Sequence, residues 1–101
     1  MTDLSKSIIL AVKTGKVLFG AKNALKNARI GRVRVIIRAA NCPQKFSRDL
    51  EYYCNLSKIP LIVYDGTGKD LGSVCGKPYT VSVLAIRETG DSDILKVAES
   101  G

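Results

Sequence analysis

The residues best suited to chemistry in this chain begin with "FGAKNALKNARIG" at positions 19–31. On a helix, Lys22, Lys26 and Arg29 stand at i, i+4 and i+7 and form one basic stripe, with Asn23 and Asn27 beside it. A helix N-terminus is already partly positive and ordinarily attracts Asp or Glu to its first turn. Lysine in that turn suits an anion held jointly by the ammonium and the free N–H groups. Gly20, just ahead, lets another backbone come close to the helix start. Phosphate binding of this kind, with amide side chains in reach of base edges, is the chemistry of nucleic-acid recognition. A solvated basic face is the plain alternative.

Two further stretches could join that site. "RAANCP" puts Asn41 just past a buried strand, at the kind of edge where α/β sheets bind ligands, although turn chemistry before Pro43 would also explain it. "CGKPYTVS" places Gly76, Lys77, Pro78 and Tyr79 in a loop before the last strand. A Tyr beside a Lys suits the stacking of an unpaired base, and a Tyr packed on the sheet edge is the alternative. "GTGKD" at 66–70 imitates a phosphate loop but holds Val63 where the first glycine belongs and Asp70 where Ser or Thr belongs, so it reads as a turn into a short helix.

Other chemistry is poorly served. The chain has no His, which removes the commonest general base and every His-based triad. Cys42, Cys54 and Cys75 are odd in number, widely spaced and without a CxxC pair, so they read as buried free thiols of a reducing compartment rather than a disulfide frame or zinc site. No metal or cofactor is expected.

The elements that must position these residues can be read from periodicity. Leu4, Ile8, Ala11 and Val12 mark a first helix that ends at Thr14 and Gly15. "KVLFG" is a short strand, and Ala21, Ala24, Leu25 and Ala28 give the next helix a thin apolar face ending near Gly31. "VRVIIRAA" is a β-branched strand. Ser47 is a candidate cap for a helix carrying Leu50, Tyr53, Cys54 and Ser57, followed by the strand "PLIVYDG". "TGKDLGSVCG" is a short helix, "VSVLAI" the last strand, and Asp91 or Ser92 caps a final helix in "DSDILKVA". Strands alternating with amphipathic helices predict an α/β sandwich with helices on both faces of one sheet, in a single domain over 1–101. Strand order is open.

The charge is unevenly spread. Of the net +7, residues 4–48 hold eleven Lys or Arg and no acid, whereas residues 49–101 hold five against eight acids. A solvated face mixes both signs, so this asymmetry points to a polyanion footprint in the N-terminal half. No apolar run reaches the ~18 residues of a membrane span, and the N-terminus reads as an amphipathic helix rather than a signal peptide.

"TGKVLFGAKNALKNARIG", "IIRAANCP", "LEYYCNLSKIP", "LGSVCGKPYTVSVL" and "GDSDIL" occur in an order and at spacings that resemble the archaeal and eukaryotic large-subunit ribosomal protein family L-thirty-e, with the short N-terminus more like the archaeal members. The glycine-led helix start is similar to that of a wider kink-turn RNA-binding superfamily. The resemblance covers nearly the whole chain. It implies a three-layer α/β/α fold around a four-stranded mixed sheet. It implies binding to a kink-turn in ribosomal RNA, a bent internal loop with tandem sheared G·A pairs and an extruded nucleotide. The matching positions are Gly20, Lys22, Asn23, Lys26 and Asn41, with Gly76, Lys77, Tyr79, Val81 and Ser82 meeting the extruded nucleotide. Many superfamily members place Asn then Glu where this chain has Lys22 and Asn23, which fits the ribosomal branch better than the small-nucleolar one.

The leading expectation is a structural protein of the large ribosomal subunit, cytoplasmic, monomeric when free and bound to ribosomal RNA; contact with neighbouring ribosomal proteins is left open. A kink-turn protein of another ribonucleoprotein, and a protein–protein adaptor using the acidic second half, are the alternatives. An RNA-modifying enzyme is disfavoured by the lack of a cofactor loop, paired carboxylates or His.

Overall fold

The computed structural model describes residues 4–95. Its elements alternate as expected: α1 (Leu4–Thr14), β1 (Lys16–Phe19), α2 (Ala21–Arg29), β2 (Val35–Ala39), α3 (Gln44–Ser57), β3 (Leu61–Tyr64), α4 (Gly68–Val74) and β4 (Val83–Glu88). Among the described residues, no helix is long and apolar enough to cross a membrane.

The four strands form one mixed sheet in the order β1-β4-β2-β3. β4 pairs antiparallel with both β1 and β2, and β2 pairs parallel with β3. The period-2 alternation of the two central strands divides the apolar residues between two cores. Val35, Ile37, Ala39, Leu84 and Ile86 face α1 and α4, meeting Ile8, Ala11, Leu71 and Cys75. Ile36, Val83 and Ala85 face α2 and α3, meeting Ala24, Ala28, Leu50 and Cys54. The architecture is therefore an α/β/α sandwich, with two helices on each face of the sheet. The small residues Ala24 and Ala28 are fully buried and keep α2 close to the sheet.

The ends of the described chain are tied together by polar contacts. Ser7 Oγ donates to Asp93 Oδ1 at 2.6 Å, Ser92 Oγ donates to the Ser7 carbonyl at 2.6 Å, and the Asp91 N–H donates to Thr14 Oγ1 at 2.9 Å. Ser92 Oγ also accepts the Ile94 N–H at 3.2 Å, as a cap would. Residues 96–98 of the expected final helix lie outside the described residues.

One helix start differs from the sequence reading. Ser47 caps nothing; α3 begins three residues earlier, with Pro43 as its N-cap. The Pro43 carbonyl accepts the N–H groups of both Phe46 and Ser47 at 3.0 Å. Pro43 fixes its own φ at −52° and has no N–H to lose, so the chain enters the helix directly after it.

Candidate nucleic-acid interface

The pairing registers bring the candidate residues to one edge of the sheet. Phe19 lies opposite Leu84, Arg38 opposite Val83, and Ala39 opposite Tyr64. The ends of β1, β2 and β3 and the start of β4 therefore share that edge, where α2, α3 and α4 also begin. Gly20 N–H donates to the Val83 carbonyl at 2.9 Å, which sets the turn from β1 into α2. Gly20 has φ 104° and ψ 146°, a region that side chains avoid, so glycine is required by the backbone itself. A Cβ on Gly20 would meet nothing within 4 Å, which leaves the approach to the helix start open.

No side chain caps α2. Asn23 Nδ2 donates back to the Phe19 carbonyl at 3.1 Å, and Asn27 Nδ2 donates to the Asn23 carbonyl at 2.8 Å. Lys22, Asn23, Lys26 and Arg29 are exposed. The N-terminus of α3 also lacks a side-chain cap. Between the two helix starts lies an open cleft of about 530 Å³, lined by Gly20, Ala21, Lys22, Asn23, Pro43, Phe46, Thr80 and Ser82. It offers uncapped helix ends, an ammonium and an amide, with an apolar floor from Phe46 and Pro43. That combination can hold a phosphate and the face of a base.

Asn41 is exposed and already partly engaged. Its Oδ1 accepts the Gly68 N–H at 2.9 Å, tying the β2–α3 turn to the start of α4. Its Nδ2 makes no hydrogen bond to the described residues and remains a donor. The turn role and the contact role thus fall on different atoms of one side chain.

The loop after α4 is a ridge held from below. Gly76 has φ 73° and follows the helix end, where its N–H reaches the Ser73 carbonyl at 3.0 Å and the Lys77 N–H reaches the Gly72 carbonyl at 2.9 Å. This is a Schellman ending, so the need for glycine at 76 comes from the helix stop. Lys77 Nζ sits 4.8 Å from the centre of the Phe19 ring. Tyr79 is 53% exposed and lines not the first cleft but a second one of about 320 Å³, with Lys69, Ser73, Lys77, Pro78 and Thr80. Ser82 lines the first cleft, whereas the Val81 side chain is buried in the α1/α4 core. Any contact made by Val81 is through its backbone, and its N–H is used by the Gly68 carbonyl at 2.9 Å.

Sequence reasoning missed several of these contributors. Phe46 completes the first cleft from outside any motif, and Pro43 and Thr80 join it as motif members that were given no contact role. Gly68 and Gly72 are the seat of the ridge: a Cβ on Gly72 would strike the Tyr79 carbonyl, and one on Gly68 would lie 2.6 Å from Thr80 Cγ2. The four-residue spacing of glycines on α4 was the available signal, since it gives one bare helix face.

The electrostatics favour an anionic partner. Among the described residues there is one ion pair, Lys16 with Glu88 at 4.0 Å, and both side chains are largely exposed. Lys22, Lys26 and Arg29 have no carboxylate partner there. Asp70 is bound into a capping box at the start of α4, where it accepts from the N–H and Oγ1 of Thr67. Arg38 gives one Nη1 bond to the Ala39 carbonyl at 3.2 Å, and its buried Nε has no partner. The thiols do not converge on a site: Cys42 and Cys54 lie in the α2/α3 core and Cys75 in the other. Burial raises all three, and pushes Cys54 and Cys75 to about 11; the Arg38 charge works against the rise at Cys42.

The model of the ribosomal protein L7Ae/L30e/S12e/Gadd45 family matches residues 2–96. The chain is 45% identical over 95 residues to large ribosomal subunit protein eL30 of Methanobrevibacter smithii, covering 94% of this chain and 96% of that protein. It is 42% identical over 95 residues to eL30 of Methanothermobacter thermautotrophicus, covering 94% and 97%. It is 42% identical over 91 residues to eL30 of Trypanosoma brucei brucei, covering 90% and 87%. A solved Bacillus halodurans protein of unknown function has the same fold, with a TM-score of 0.81 and full coverage of both chains at 21% identity. With every described residue inside the match, the chain belongs to the ribosomal protein L7Ae/L30e/S12e/Gadd45 family.

Proposed function

We propose that this protein is a structural, non-enzymatic component of the large ribosomal subunit in the cytoplasm, and that it binds a kink-turn of ribosomal RNA. The observation that carries the reading is the cleft between the two uncapped helix starts, bordered by Lys22 and Asn23 and free of carboxylates. The eL30 identity of its relatives supports the ribosomal setting. In this reading the crowded phosphates of the bend lie on α2, with Lys22 and Lys26 as their counter-charges. Asn23 and the free Nδ2 of Asn41 face the G·A edges. The ridge from Gly76 to Ser82 meets the extruded nucleotide, and RNA shape is read before base identity.

The test is affinity, across about 50–200 mM salt, for an RNA with tandem G·A pairs and for the same RNA with those pairs made Watson–Crick. Tighter binding of the bent loop is expected, and Lys22→Ala and Lys26→Ala should each lower the salt slope by about one unit. Equal affinity for the two RNAs would overturn the kink-turn reading, and unchanged slopes would reduce the stripe to a solvated face. A protein adaptor would draw on exposed apolar residues such as Tyr52 and Leu56, and its binding would change little with salt.

A further inference from the structure

One wall of the second cleft, Lys69 and Ser73 on α4, has no part in the kink-binding site, whereas its other wall, Lys77 to Thr80, belongs to the ridge already assigned there. The cleft lies against α4, on the other side of the ridge, and is lined by Lys69, Ser73, Lys77, Tyr79 and Thr80, with no carboxylate in its wall. Asp70, the neighbour of Lys69 in sequence, is the acid best placed to neutralise it. Its carboxylate is instead committed to the Thr67 capping box. Lys69 therefore keeps an unpaired charge among the described residues. Lys77 is fixed differently: it borders the second cleft, and its ammonium rests on the ring of Phe19, the residue before Gly20.

The two clefts are continuous at one residue. Thr80 lines both. The ridge that separates them is held low on α4 because Gly68 and Gly72 have no Cβ to lift it. A chain lying in the first cleft can therefore cross at Thr80 and descend into the second without a high barrier. The second cleft offers two ammonium groups and two hydroxyls for phosphate oxygens, and a half-exposed Tyr79 ring for a base.

We infer that the second cleft binds the sugar-phosphate backbone of the RNA strand that continues from the kink over the ridge, with Lys69 and Lys77 on its phosphates and Ser73 as a hydroxyl donor. This inference rests on the kink-turn reading above. It adds Lys69 and Ser73 to the interface and makes the footprint longer than the internal loop.

The experiment compares the wild type, Lys69→Gln and Lys22→Gln on two kinds of RNA. One is a kink-turn duplex trimmed at its arms. The other is the same duplex extended by about six unpaired nucleotides on each arm in turn, enough for a short groove. For one of the extended RNAs, wild-type affinity should rise, and Lys69→Gln should lower the salt slope by about 0.7, the value for one single-strand phosphate contact. On the trimmed RNA, Lys69→Gln should match the wild type. Lys69 is exposed, so an unchanged melting temperature is expected for the variant. If Lys69→Gln is silent on every RNA while Lys22→Gln lowers the slope, the second cleft is not a strand site and the kink-turn reading survives. An equal effect of Lys69→Gln on trimmed and extended RNAs also overturns the inference, because the lysine then acts only through the general field. If both variants are silent, the inference falls and the basic stripe is only a solvated face.

Discussion

Asn41 shows how one side chain can serve fold and recognition at once. Its Oδ1 holds the Gly68 N–H at 2.9 Å, and its Nδ2 is left for a partner. The two roles separate by substitution. Asn41→Ala removes both and should cost ~0.5–1.5 kcal/mol of stability from the lost hydrogen bond as well as RNA affinity. Asn41→Asp keeps the acceptor for Gly68 and replaces the donor with a carboxylate facing RNA. Its melting temperature should stay near the wild type while binding weakens by at least the ~1–3 kcal/mol of a base-edge contact. Equal losses of affinity for RNAs with and without G·A pairs would leave Asn41 only its turn. Tyr79 is simpler, because its ring is half exposed and outside both cores. Tyr79→Ala should lose ~1–3 kcal/mol of binding and Tyr79→Phe almost none, if the ring stacks on a base. A fall of several degrees in melting temperature for Tyr79→Ala would instead mean that the ring supports the fold.

At the scale of elements, α4 and the ridge form one device. Gly72 sits inside a seven-residue helix, where Ala would ordinarily be favoured by ~1 kcal/mol. Here the added Cβ meets the Tyr79 carbonyl, which is backbone and cannot swing away. Gly72→Ala should therefore lower the melting temperature, with overpacking of ~1–3 kcal/mol outweighing the propensity gain. It should also weaken RNA binding by shifting Thr80 and Tyr79. Ser73→Ala, one residue on and exposed, is the control for stability only, since its hydroxyl lines the second cleft: it gains propensity without striking the ridge backbone. Thermal unfolding of the two variants checks the pair, and a more stable Gly72→Ala protein would show that the ridge has room to rise. The same device marks the limit of what the sequence discloses. The period of "VRVIIRAA" gave β2 and both of its buried faces, because β-branched alternation is a local signal. Gly68 and Gly72 passed unremarked within a turn and a short helix, since their partner, the 79–81 backbone, is near only after folding. The start of α3 at Gln44 was overlooked because Ser47 matched a familiar cap, whereas Pro43 acts through its fixed φ. Strand order is a property of long-range pairing, and no local pattern in four short strands encodes it.

At the scale of the whole molecule, one sheet separates two cores, and a buried thiol reports on each. Cys75 packs with α1 and α4, Cys54 with α2 and α3. Both are almost inaccessible, at 6% and 2% of their surface, and burial raises both from an ordinary value of 9.0 to about 11. In the native state near neutral pH they hold their protons, so attack by a thiol reagent requires opening. The sign of the pH effect follows from the raised values. Between about 9 and about 11 the native state binds more protons than the unfolded chain, so stability is full below 9 and falls as pH rises through that window. Both strands that separate the cores, β2 and β4, contribute side chains to each of them, which couples the layers through a shared backbone. A single cooperative unit is therefore expected, as in most domains of this size. Native-state thiol labelling, read by mass spectrometry at Cys54 and Cys75 in increasing denaturant, checks this. The opening free energies at the two residues should converge on one value and fall together as pH is raised above 9. If Cys75 opens at much lower free energy than Cys54, the α1/α4 layer unfolds on its own. The ridge and the second cleft, which rest on α4, would then belong to a layer that RNA binding stabilises separately from the α2/α3 side.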